Sequence, residues 1–266
     1  RVTGVALENG DACHAPIVAS NMDVKRTFLQ HTGQQHLPDD FVKAVKRFKI
    51  RGSSGKLNIA LDALPDFPSA PKGAPFLRGD LHCSESLTEL ERAYDDWKEG
   101  RWSQNPYFDM LIPSQIDPTM APPGKHMMTV FVQYAPYDLE VDGIRSGTNW
   151  NDQTRSAFAD CVFDKLEQAC PDIRSKTLHA EIRTPWDIEN EVGLTEGNIF
   201  QGELTFDQLL FNRPVPGYAQ YRSPVKGLYM CGSSTHPGGG VMGAPGANAA
   251  REVLRDMGAR QTVRGY

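Results

Sequence analysis

The residues best placed to do chemistry lie near the C-terminus, in GLYMCGSSTHPGGGVMGAPGANAAREVL, residues 227–254. Gly238, Gly240 and Gly243 there satisfy G-x-G-x-x-G. Between a strand and a helix, that pattern offers free backbone N–H groups and the positive end of a helix dipole to an anion or to the edge of a planar ring. GLYMCG reads as a short apolar strand ending at Gly232, and ANAAREVLRDMG reads as the helix. His236, inside the loop, suits ring stacking or proton handling, with a structural role beside the turn as its alternative. A complete dinucleotide-binding unit also needs a second parallel strand after the helix and an acidic residue about 20 positions on. Only ARQTVRGY follows, with no acidic side chain. The pattern is present without the context that would make it a nucleotide fingerprint, so close packing of a glycine-rich turn stands as the competing reading.

Those residues need a scaffold, and 266 residues suffice for one large domain or two smaller ones. A net charge of -5 with 23% charged residues leaves no basic excess to follow a phosphate backbone, which argues against nucleic acid as a partner. The five cysteines, Cys13, Cys83, Cys161, Cys170 and Cys231, are scattered without C-x-x-C or Cys/His pairing, so no zinc site is expected and the thiols read as reduced. No apolar run nears the ~20 residues of a bilayer span, and no signal peptide is evident. The reading is a soluble, intracellular chain. It begins at Arg1 rather than Met and opens inside a hairpin pattern, so a processed or truncated chain is expected.

The positioning elements follow from periodicity and punctuation. RVTGVALENGDACHAPIVASN gives a strand, an Asn9-Gly10 turn of type I′ and a second strand. PIVASN continues as a short buried strand, and MDVKRTFLQ begins a helix. FKIRGSSGKLNIAL suggests strands around a Gly/Ser turn, followed by a loop through Pro65, Pro68, Pro71 and Pro75. From Ser84 a helix would place Leu87, Leu90, Tyr94 and Trp97 on one packed face. FDMLIPS and Met127 to Tyr134 read as strands of an antiparallel sheet. A helix over about 152–169 presents Phe158, Val162, Leu166 and Ala169 and stops before Pro171. Thr184, Pro185 and Asp187 form an N-cap, first helical position and capping-box acid.

GLYMCGSSTHPGGGVMGAPGANAA resembles the C-terminal flavin-contacting segment of phytoene-desaturase-like FAD oxidoreductases, a group that extends to amine oxidases. EGNIFQGELTFDQLLFNRP, VTGVALENGDACHAPIVASNMDVKRTF and IPSQIDPTMAPPGKHMMTVFVQYAPY resemble further segments of the same group, nearest to its pyridine nucleotide-disulphide oxidoreductase domain-containing subgroup. The resemblance implies an α/β (α+β) fold: the C-terminal portion of a discontinuous FAD-binding domain plus a substrate domain with a mixed or antiparallel sheet and helices. Residues 1–24 would be the hairpin and strand of the FAD domain, 25–195 the substrate domain, and 196–266 the return to the FAD domain.

By position, the resemblance puts Gly232 and Ser233 against the ribityl-phosphate part of FAD, and Gly239, Gly240, Val241 and Met242 along the isoalloxazine edge. The following helix would face negative charge developing on the ring as hydride arrives. His236 is the catalytic candidate, and Tyr134 and Tyr218 are candidates to line the substrate pocket. The implied activity is FAD-dependent oxidation of an organic substrate, small and hydrophobic or amine-like, in a full-length form, with this chain alone inactive. An amine oxidase and a non-enzymatic binding protein like the Rab GDP-dissociation inhibitors are the alternatives. The expected compartment is the cytoplasm or the mitochondrial matrix, with peripheral membrane contact left open.

Overall fold

The computed structural model describes residues 1–71, 75–84 and 86–258. In chain order its elements are β1 (Gly4–Ala6), β2 (Ala12–His14), β3 (Val18–Ser20), α1 (Asp39–Arg47), β4 (Ser54–Leu61), β5 (Leu81–Cys83), α2 (Leu87–Lys98), β6 (Tyr107–Leu111) and β7 (His126–Gln133). They continue with β8 (Leu139–Val141), β9 (Ile144–Ser146), α3 (Asp152–Ala169), α4 (Ile173–Lys176), β10 (Thr177–Arg183), α5 (Pro185–Val192), β11 (Leu228–Met230) and α6 (Ala244–Asp256). The chain forms two compact units, one of residues 1–51 with 198–266 and the other of residues 52–197. The sequence reading changed domain at 24/25 and 195/196. The compact units change at 51/52 and 197/198, because Phe41, Val45, Phe48 and Ile50 pack with Phe28, Leu228 and Met230 in one apolar cluster.

The second unit is built on an antiparallel sheet in the order β10-β4-β7-β6-β5. Alternation along β7 buries Met128, Val130 and Val132 completely, and their partners across the strands include Ile59, Leu57 and Phe108. Helix α3 covers that face with Phe158, Val162 and Leu166, each 0% exposed. The approach is close: a Cβ added at Gly55 would lie 2.7 Å from the Phe158 ring, so β4 needs glycine there. Helix α3 runs over Asp152–Ala169 and stops before Pro171, as the pattern predicts, and the structure adds an Asn151/Thr154 capping box at its start. The Lys165 ammonium pairs with Glu89 of α2 in a nearly buried contact, and Asn105 donates to the same carboxylate at 2.6 Å.

In the first unit, β1 and β2 form the hairpin, and β3 pairs in parallel with β11. Asp23 Oδ1 accepts from the Lys25 and Arg26 N–H groups and starts the helical segment that the sequence expected at MDVKRTFLQ; it continues as a π-helical stretch over Arg26–His31.

Several expectations are corrected. The hairpin turn is not type I′: only Gly10 has positive φ, at 90°, and the Gly10 N–H bonds the Leu7 carbonyl, so a tight turn closes on a left-handed glycine. Residues 48–53 form no strand, and β4 stands alone where two strands around a turn were expected. On α2 the packed position is Ala93, while Leu87, in the first turn, is 81% exposed. In β3 only Ser20 is buried; among the described residues this strand is paired on one edge alone. The residues ARQTVRGY, over 259–266, lie outside those described.

Helix α5 shows how local chemistry sets a boundary. The Asp187 N–H donates to Thr184 Oγ1 at 3.3 Å, and the Thr184 N–H donates back to Asp187 Oδ2 at 2.9 Å. Arg155 clamps the same carboxylate and, with the Thr184 bonds, holds it below the usual carboxylate range against the opposing effect of burial. Thr184→Ala should cost about 1 kcal/mol in urea denaturation, the ordinary value of a lost N-cap.

Candidate functional site

The glycine-rich segment is positioned by β11 before it and α6 after it. Strand β11 is wholly buried, and the Cys231 N–H continues its pairing to the Ser20 carbonyl of β3 at 2.8 Å. At Gly232 an added Cβ would overlap the Asn21 carbonyl oxygen, so glycine is required by the crossing of the chain itself. Ser233 gives its carbonyl to Arg213. Ser234 and Thr235, both fully buried, use their hydroxyls inside the loop: Ser234 donates to the Gln201 carbonyl at 2.6 Å and Thr235 to the Gly232 carbonyl at 2.8 Å.

The next residues turn outward. Gly238, Gly240 and Gly243 have φ of 109°, 145° and 65°, values that side-chain-bearing residues rarely adopt. Gly239 lies against Phe200, with 2.9 Å from its added Cβ to the Phe200 Cα. Beyond its chain neighbours, the described atom within 4 Å of a Cβ added at Gly240 is the terminal methyl of Met242, at 2.6 Å, and Val241 and Met242 are themselves exposed. Helix α6 begins at this point with Gly243 as N-cap, no side-chain cap, and Pro245 in its first turn. The loop thus presents glycine backbone, two apolar side chains and an uncapped helix N-terminus.

His236 bonds through its backbone: Tyr221 Oη donates to its carbonyl at 2.8 Å, and Asn248 of α6 donates to Tyr221 Oη at 2.8 Å. Its Nδ1 is buried with no hydrogen-bond partner among the described residues, as is Gln201 Oε1. Tyr218 packs edge-on against Phe41, ring centroids 4.7 Å apart, in the apolar cluster of the first unit. Tyr134 belongs to the second unit, next to the Tyr94 ring at 5.5 Å; burial and the charge of nearby acidic groups raise its phenol above the ordinary value.

Sequence reasoning missed the residue that holds the loop. Arg213 is 0% exposed and among the described residues has no carboxylate partner. Instead its guanidinium donates to five carbonyls: Ser233 at 2.9 and 2.8 Å, Phe200 at 2.9 Å, Glu203 at 3.1 Å, Gly202 at 3.3 Å and Gln208 at 3.4 Å. Its face lies 5.6 Å from the Phe48 ring. Burial pushes the guanidinium down to about 10, which leaves it cationic at neutral pH. The far end of α6 is tied by Arg222, which forks onto Asp256 at 2.7 and 2.8 Å, while Tyr229 Oη donates to Asp256 at 2.8 Å.

No family model matches the sequence. The chain is similar to pyridine nucleotide-disulfide oxidoreductase domain-containing protein 2 of Mus musculus, 43% identical over 265 residues, covering 97% of this chain and 44% of that protein. It is similar to a phytoene desaturase of Fusarium fujikuroi, 26% identical over 97% of this chain and 45% of the relative. A third relative is 4,4'-diapophytoene desaturase (4,4'-diaponeurosporene-forming) of Staphylococcus aureus (strain MRSA252), 27% identical over 78% of this chain and 47% of the relative. The chain therefore spans under half the length of these curated relatives. Among solved structures, an oxidoreductase from Methanosarcina mazei superposes with a TM-score of 0.56 at 16% identity, over 95% of this chain and 46% of that one. Cyclohexylamine oxidase from Brevibacterium oxydans IH-35A gives 0.54 at 14% identity, over 96% and 46%. These likenesses show the fold, a mixed α/β arrangement with antiparallel sheets and helices, and the sequence matches show the resemblance over nearly the whole chain.

Arg213→Met keeps the volume and removes every donor, so five buried carbonyls lose a partner. Stability in urea should fall by roughly 3–5 kcal/mol, and Arg213→Lys should recover little, because three donors on a flexible stem cannot reproduce the planar fork. At the other end of α6, Arg222 and Tyr229 hold Asp256 at about 2, below the ordinary value near 3.9. Its stabilising contribution is present above roughly pH 4 and is lost as pH falls through about 2. Asp256→Asn should flatten the acid limb of a stability-versus-pH curve in that window; an unchanged limb would contradict the assignment.

Proposed function

We propose that this chain supplies the flavin-edge and substrate-facing parts of an FAD-dependent oxidoreductase that oxidises a small apolar organic substrate. The observation that carries the reading is the strand–glycine loop–helix segment at 228–256, set in a sequence 43% identical over 97% of its length to an oxidoreductase domain-containing protein. The residues fit the group at several points. Three glycines hold backbone conformations that leave the chain unshielded, the N-terminus of α6 carries no side-chain cap, and the buried His236 Nδ1 lacks a partner among the described residues.

When bound, FAD would supply the hydride acceptor. In this reading Gly232 and Ser233 lie along its ribityl-phosphate part, and Gly239, Gly240, Val241 and Met242 along the ring edge. Because an added Cβ at Gly232 would overlap Asn21 and one at Gly239 would overlap Phe200, those two act by setting the path of the loop, leaving close approach to Gly240. The first turn of α6 would stabilise negative charge with its free N–H groups. Val241 and Met242 would exclude water from one side of the ring. His236 Nδ1 is the available polar atom of the loop, able to hold a proton or a hydrogen bond toward the cofactor.

The first compact unit would be the flavin-binding part, with Tyr218 as its own pocket candidate, and the second the substrate part, with Tyr134 as its own. Relatives named for phytoene and diapophytoene favour a polyene-like hydrocarbon over an amine. No described helix is long and apolar enough to cross a membrane. We place the protein in the cytoplasm or mitochondrial matrix, with peripheral membrane contact as a further part of the proposal.

Visible absorption tests the reading. The chain joined to the remaining length of its relatives should purify yellow with bound flavin, whereas the 266-residue chain alone should hold flavin weakly. Gly240→Val in the longer protein should abolish the flavin bands; because φ of 145° strains any side chain and the Met242 methyl must move aside, the urea midpoint should fall as well, and circular dichroism checks that the fold persists. A colourless longer protein would sink the flavoprotein assignment; a yellow Gly240→Val variant would sink the role given to the loop.

A further inference from the structure

The sheet of the second unit carries a polar cluster that the flavin reading does not use. Strands β5 and β6 are antiparallel with His82 directly opposite Asp109, which puts both side chains on one face of the sheet; Asp80 lies just before β5. One ligand atom each from Asp80, His82 and Asp109 can be chosen so that all lie within 4.8 Å of one another. Among the described residues this is the one group of three or more His, Cys, Asp or Glu side chains so arranged.

We propose that Asp80, His82 and Asp109 form a binding site for a divalent transition-metal ion, with water completing the coordination shell.

The charge balance supports it. Two carboxylates face one imidazole, and among the described residues neither Asp80 nor Asp109 has a Lys or Arg within 4.0 Å. Other surface carboxylates in this unit do have one: Arg174 meets Asp160, Asp164 and Glu167, and Lys176 meets Asp172. His82 Nδ1 lies 2.5 Å from Asp109 Oδ1, while Nε2 is 3.7 Å from Asp80 Oδ2. A single ion would use one ring nitrogen of His82 and one oxygen of each carboxylate, atoms that lie within 4.8 Å of one another.

The cluster also has an orienting neighbour. Tyr107 Oη donates to Asp109 Oδ1 at 2.5 Å and stacks its ring parallel to His82, interplanar angle 11°. A hydroxyl bonded to a ligating carboxylate fixes which oxygen faces the ion. The donor set selects the class: imidazole nitrogen suits zinc, iron, copper and nickel, carboxylates also suit manganese, and one nitrogen with two carboxylates disfavours magnesium and calcium. Asp80 and His82 are exposed, so an ion can enter directly from solvent. The site is independent of the flavin proposal, since its residues lie on, or just before, two neighbouring strands of one unit.

Calorimetric titration of the chelator-treated 266-residue chain with zinc chloride, and separately with manganese chloride, tests the site. One saturable site per chain is expected, weakened about tenfold or more by His82→Ala, Asp109→Asn and Asp80→Asn. Cys13→Ser, which removes an exposed thiol elsewhere, should leave the affinity unchanged. Circular dichroism of each variant verifies that the sheet is intact. Absence of saturable binding overturns the proposal. So does zinc binding that survives His82→Ala but is lost in Cys13→Ser, or equal binding of magnesium and calcium that His82→Ala leaves unaffected.

Discussion

A fully buried guanidinium with no counter-charge among the described residues is the constraint on which the glycine-rich end of this protein depends. Burying a cation is costly unless its donors are met, and Arg213 meets its donors with carbonyls drawn from the segments at 200–208 and 233. Those segments contain little regular structure, so their carbonyls would otherwise need water or one another. The arginine replaces a sheet or helix as the organiser. A planar fork reaches several carbonyls at once, which a lysine could not do.

The consequences run into the loop. With the Ser233 carbonyl fixed to Arg213, and Ser234 and Thr235 bonded inward, the chain reaches Gly238 with its direction set. Positive φ at Gly238, Gly240 and Gly243 then carries it out and back into α6. The latch from His236 through Tyr221 to Asn248 joins loop to helix, and the Arg222–Asp256 fork secures the opposite end of α6. A helix held at both ends keeps its N-terminus in one place, which any role for that terminus requires.

The sequence made most legible the elements written in local chemistry. The capping box at Thr184, the α3 face of Phe158, Val162 and Leu166, the alternation of β7 and the order strand–glycine loop–helix are short-range patterns, and the structure contains them. What it concealed depends on distant partners. Arg213 sits in FNRPVPG with nothing to mark it as buried, because its acceptors are backbone carbonyls and leave no trace in residue types. Leu87 has the right spacing for a packed face, yet the first turn of α2 extends past the surface that Ala93 covers. The facing of His82 and Asp109 depends on a strand register between segments 27 residues apart.

The G-x-G-x-x-G match shows why a pattern needs its surroundings. Each of the three glycines has a backbone reason to be glycine: positive φ at all three, and at Gly238 a Leu204 methyl 3.0 Å from where a Cβ would stand. The motif would therefore persist in this fold even if no ligand approached it, and its presence alone carries no weight for a nucleotide. Gly240 differs in what surrounds it. Its missing side chain opens onto the flexible end of Met242 and onto solvent, where Gly232 and Gly239 abut their own chain. A ligand can approach closely only where the protein has not already used the space, so the functional argument narrows from a six-residue pattern to one glycine and the helix N-terminus behind it.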